Sequence, residues 1–195
     1  MKNFAKIILG FSLLLACAQV GFPQEQSQVL PPNPNFKHKR KLTQIYDPSS
    51  DQTRIRLEPM GIHSAGTSGM DPVLSISMGA LFTFPGKTVA TPQEVKLGFF
   101  LHTSIVPSKY QVTVKADDEV LLKDSYPITS KQNFGRDVAS GRTMYLIDLE
   151  ALIPYEKFLR MVNARKVKVK VSGIGDDLSK EDMESLRDFA SRMQP

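Results

Sequence analysis

His38, His63 and His102 are the side chains best suited to acid–base or metal chemistry in this chain, and their spacing favours neither. No two of them sit at the close spacing of a helical metal site such as H-E-x-x-H. His38 lies in a basic run, His63 in a loop, and His102 at the end of a strand pattern where it shares parity with Lys96 and Gly98. That parity points His102 at solvent or the sheet rim. Ser68, in Gly66-Thr67-Ser68-Gly69, lacks the second glycine spacing of a nucleophile elbow. Gly86-Lys87-Thr88 has the tail of a phosphate-binding loop, but Leu81 stands where its first glycine belongs, so a Pro85-Gly86 turn is the better reading. The acidic groups Asp117-Asp118-Glu119 and Asp176-Asp177 fit a tight turn and a helix N-terminus. Catalytic, cofactor-binding and metal sites are therefore all expected to be absent. The alternative that survives is a dispersed hydrolase site joining His102 or His63 to a turn carboxylate.

Lys166, Lys168 and Lys170 alternate with valines and project from one strand face. The plain role for such a stripe is protection of an edge strand from unwanted pairing. The alternative is a docking surface for an anionic envelope component. The polar, glycine-bearing stretches Gly61 to Pro72 and Pro127 to Arg142 read as loops and as further contact surfaces. The run Lys37-His38-Lys39-Arg40-Lys41 reads as a solvated flank of the first strand, or as a contact for anionic headgroups.

The chain's one cysteine lies at its N-terminal end. Lys2 and Lys6 precede an uncharged apolar run, Ile7 to Ala16, that closes on small residues. This pattern predicts an export signal over residues 1–18, too short to span a bilayer as a mature helix. Leu14-Leu15-Ala16-Cys17 resembles a bacterial lipobox, which would make Cys17 the lipidated mature N-terminus. Ala16-Cys17-Ala18 equally fits small-x-small cleavage after Ala18, with loss of the cysteine. Each reading puts the folded part outside the cytoplasm, in the periplasm, on a membrane or secreted. Residues 19–195 hold no cysteine, so thiolate chemistry and disulfides are excluded there.

The charge balance excludes another class. Six of the 25 Lys/Arg and one of the 20 Asp/Glu precede Leu42, which leaves nineteen of each beyond it. A domain without net charge, and without a recognisable motif, lacks the footprint of a nucleic-acid binder. Residues 19–41, rich in Gln, Pro and Asn, read as a polar tether ending in the basic run. Residues 42–195 read as one β-rich domain.

These residues need elements to position them, and the hydropathy pattern supplies them. Ile76, Met78, Ala80, Phe82 and Phe84 occupy alternate positions, as do Val95, Leu97, Phe99 and Leu101, and Val112 and Val114. Period two with one apolar face predicts half-covered antiparallel sheet. Pro154, followed by Tyr155, Phe158, Leu159 and Val162, predicts a short helix ending near Asn163. Ser179 with Asp182 predicts a capped closing helix with Met183, Leu186, Ala190 and Met193 inward. The expected fold is a mainly β sandwich or open barrel of seven or so strands, with a short helix before the last strand and a C-terminal helix.

The closing segment, from Phe158-Leu159-Arg160 through the Lys/Val strand to Leu186, resembles the end of the invasion-associated-locus-B-like periplasmic β-sandwich proteins. That resemblance implies an envelope-associated accessory role and carries over no functional residue. The sequence thus points to an exported, non-enzymatic binding or assembly protein whose partner is an envelope protein or polymer.

Overall fold

The computed structural model describes residues 25–64, 73–138 and 140–193. Residues 1–18, expected to be an export signal, with Cys17, and also Ser68 lie outside the described residues. In chain order the elements are β1 (Gln26–Leu30), β2 (Leu42–Asp47), β3 (Gln52–Ser64), β4 (Val73–Pro85), β5 (Glu94–Thr103), β6 (Lys109–Ala116), β7 (Glu119–Arg136), β8 (Thr143–Pro154), α1 (Tyr155–Asn163), β9 (Val167–Val171) and α2 (Lys180–Ser191). The fold is mainly antiparallel β, with the two helices where the sequence puts them.

The nine strands form one continuous sheet in the order β1-β2-β3-β4-β5-β8-β7-β6-β9, and every pairing is antiparallel. The alternation dictates which face is inside. In β5, Val95, Leu97, Phe99 and Leu101 are buried while Lys96, Gly98, Phe100 and His102 turn outward and are half-buried. The sheet turns at β7, whose residues Glu119 to Pro127 pair with β6 and whose residues Ile128 to Arg136 pair with β8. No residue of β7 is therefore laddered on both sides. One hydrophobic cluster draws on both parts of the sheet and on the two helices.

The helices close this core through their apolar stripes. Tyr155, Phe158, Met161 and Val162 of α1 and Met183, Leu186, Phe189 and Ala190 of α2 are buried, with Met193 just beyond α2. Phe158 meets Phe189 edge to face at 5.9 Å between ring centroids. Ser179 caps α2 as its sequence predicts: its hydroxyl accepts from the Asp182 N–H while the Asp182 carboxylate accepts from the Ser179 N–H.

Three stretches depart from the expectation. Gly61 to Ser64, including His63, is the end of β3 rather than loop, because its backbone continues the ladder with β4 as far as Ser75. Pro127 to Arg136 is strand rather than loop, because Pro127 ends the β6 ladder and Ile128 to Arg136 complete the β8 ladder although most of their side chains are polar. Gln26–Leu30, within the expected tether, forms the edge strand β1 against β2. The rest of that stretch packs on α2. Arg192 donates to the Pro31 carbonyl at 2.7 Å, Arg40 meets Asp182 at 3.3 Å, and His38 Nε2 lies 3.0 Å from Asp188 Oδ2 with both side chains fully buried.

Candidate functional site

The three histidines fall in three separate places. His38 has its side chain fully buried against Asp188 of α2. His63, on β3, brings Nδ1 to 3.5 Å from Asp176 Oδ2, and that carboxylate is well exposed. His102 turns outward and lays its ring against the edge of Phe134, 4.5 Å between centroids. Of the two histidines in the expected hydrolase alternative, His63 thus gains a carboxylate neighbour within reach. Among the described residues no group of three His, Cys, Asp or Glu side chains could hold a metal ion.

The lysines converge. Val167, Val169 and Val171 are buried, which forces Lys168 and Lys170 onto the opposite, outward face of β9. The register then adds lysines from two other strands. Lys168 pairs directly with Lys115 of β6, while Lys170 pairs with Thr113, which on its other side pairs with Lys123 of β7. Residues paired directly across antiparallel strands share a face, so Lys115, Lys123, Lys168 and Lys170 stand together around Thr113. Lys115 and Lys123 are exposed, and Lys168 and Lys170 are half-buried along their stems. None of the four takes part in an ion pair among the described residues.

Lys166 behaves differently. It precedes β9, its amide N–H donates to Asp117 Oδ1 at 3.1 Å, and its ammonium pairs with Asp177 at 3.0 Å. Asp177 is the bridge partner of Lys168 on the far side of β9, so the carboxylate closest to the cluster in register is already engaged.

Edge protection does not explain these lysines. The outer edge of β9 is covered by the chain's own return through Ile174 to Leu178: Val169 N–H donates to the Asp176 carbonyl, Leu178 N–H to Val167, and Val171 N–H to Ile174. Glycine makes this approach possible. A Cβ on Gly175 would lie 2.1 Å from the Val169 carbonyl oxygen. The lysines therefore stand on a face whose strand edge is already closed.

Sequence reasoning found Lys168 and Lys170 but missed their partners. Lys115 carries the same signal, alternation with Val112, Val114 and Ala116, but pairing β6 with β9 crosses more than fifty residues and leaves no local trace. Lys123 sits in a stretch without clean alternation, where Leu121 is the extra residue of a bulge opposite Val114 and Lys115. No family model matches this chain, and neither curated proteins nor solved structures give a significant match to it.

Proposed function

We propose that this is an exported, envelope-associated, non-enzymatic binding or assembly protein that meets an anionic envelope polymer through Lys115, Lys123, Lys168 and Lys170. The observation that carries this reading is the cross-strand register of like charges. Lysines placed directly opposite each other destabilise a sheet, and the carboxylate in register with them, Asp177 beside Lys168, is taken up by Lys166. The fold bears this cost without using the lysines to guard an edge. A polyanion brought onto the face relieves the repulsion and releases its counterions.

Export and attachment belong to the same proposal. The apolar N-terminal run supplies the address, and Cys17 supplies a lipid anchor if it becomes the mature N-terminus. A Cys17→Ser chain would then leave the membrane fraction, whereas a mature mass beginning at Gln19 would identify ordinary secretion.

The lysine face is tested by chromatography on immobilised polyphosphate. The wild-type protein is expected to be retained at low salt and released as salt rises. A variant with Lys115, Lys123, Lys168 and Lys170 all changed to Gln is expected to elute markedly earlier while unfolding at an unchanged or higher midpoint. Equal elution of the two proteins would defeat the proposal. The second reading, a secreted hydrolase, draws on the His63–Asp176 approach of 3.5 Å. It gains ground only if the pure protein turns over an ester or glycoside and His63→Ala abolishes that turnover.

A further inference from the structure

Away from the lysine face, the outward side of β3, β4 and β5 carries a hollow. Gly79 of β4 and Gly98 of β5 are direct partners in the ladder, so two adjacent strands lack side chains at the same level. The hollow measures about 270 Å³. Phe100 lies along it, with ring carbons 3.5 and 3.6 Å from where a Gly98 Cβ would sit and 3.7 Å from the Gly79 position. Leu81 adds a second apolar surface.

The two glycines have different reasons to be there. A Cβ on Gly79 would press on the Leu57 carbonyl oxygen at 3.1 Å, so close backbone approach accounts for it. Gly98 has no such constraint. Its backbone is ordinary strand, and a Cβ would make only normal van der Waals contact with the Phe100 ring. Glycine weakens a strand interior and often marks a place where a ligand comes close to the backbone. Packing does not call for glycine at 98; an open hollow does.

The charges around the rim are nearly matched, with one cation left over. Lys96 is held by Glu150 at 2.7 Å, and Arg54 is held by Glu25 at 2.8 Å and Asp47 at 4.0 Å. Arg56, exposed at the same rim, has no hydrogen-bond or ion-pair partner among the described residues. A guanidinium is a planar fork that pairs with a carboxylate through two parallel hydrogen bonds. One spare positive charge selects a monoanion, and the apolar floor selects a ligand with an apolar body.

We propose that this hollow binds a small amphipathic monocarboxylate, its apolar body lying over Gly79 and Gly98 against Phe100 and Leu81 and its carboxylate on Arg56. The site is independent of the lysine face, so each can fail without the other.

The test is a calorimetric or NMR titration of the purified protein with 3-phenylpropionate, its neutral amide, and inorganic phosphate. Saturable binding of the carboxylate is expected, with the amide at least tenfold weaker and phosphate weaker still. Arg56→Gln is expected to raise the Kd for the carboxylate at least tenfold. Gly98→Val is expected to block the hollow without lowering the unfolding midpoint; if that variant folds poorly, Gly98→Ala is read instead and is expected to weaken binding several-fold. The proposal is overturned if 3-phenylpropionate shows no saturation, if the amide binds equally well, if phosphate binds more tightly, or if Arg56→Gln leaves the Kd unchanged.

Discussion

The Asp188 carboxylate accepts hydrogen bonds from Arg192 Nε at 2.8 Å, His38 Nε2 at 3.0 Å, the Asn33 N–H at 3.2 Å and, at 3.5 Å, the Ser191 hydroxyl. Burial by itself would push its carboxyl up, but the bonds from Arg192, Asn33 and His38 outweigh that and hold it below the ordinary carboxylate range. A carboxyl whose pKa is lower in the folded chain contributes stability that is complete above its unfolded pKa and is lost as pH falls through the folded value. The segment from Asn33 to Lys41 is therefore expected to stay fixed to α2 at neutral pH and to loosen as pH drops below about 4. Amide exchange of these residues against pH checks this, and the acid step is expected to vanish in Asp188→Asn. Asp188→Ala leaves Arg192, the Asn33 N–H and the buried His38 without their acceptor and is expected to cost about 1–3 kcal/mol in a denaturant titration. At Lys115, Lys123, Lys168 and Lys170 the opposite holds: neutralisation relieves repulsion, so stability and the proposed polyanion binding are expected to move in opposite directions.

At the scale of elements, the entry into α2 is fixed by identifiable devices. Ser179 and Asp182 satisfy each other's backbone at its start, and Ser179→Ala is expected to lower stability by about 0.5–2 kcal/mol, read from the unfolding midpoint. The return through Ile174 to Leu178 depends on Gly175, which has a φ of +141° and no room for a Cβ. Gly175→Ala is expected to lift this return off β9 and expose a free strand edge, seen as concentration-dependent aggregation in light scattering. Both helices were legible because their stripes and caps are local: Tyr155 to Val162 and Ser179 to Met193 carry complete helical signals. β1 and the second half of β7 were not. Gln26–Leu30 and Ile128–Arg136 are mostly polar, and they are strands because β2 and β8 offer them a ladder.

For the whole molecule, the absence of cysteine from residues 19–195 leaves stability to the shared core. Its unfolding midpoint is expected to be identical with and without a strong reductant; a shift under reduction would contradict this. The sequence alone determined the fold class, because period-two alternation and two capped helical stripes are properties of neighbouring residues. It also determined which chemistries were closed, since a missing residue type cannot be supplied by folding. Tertiary structure alone decided which charges meet. Lys115, Lys123, Lys168 and Lys170 gather through strand order and register, His38 finds Asp188 across 150 positions, and Gly79 faces Gly98 across a ladder. The physical reason is that periodicity tells a residue which side of its strand to face, whereas only the pairing of distant strands decides what stands beside it.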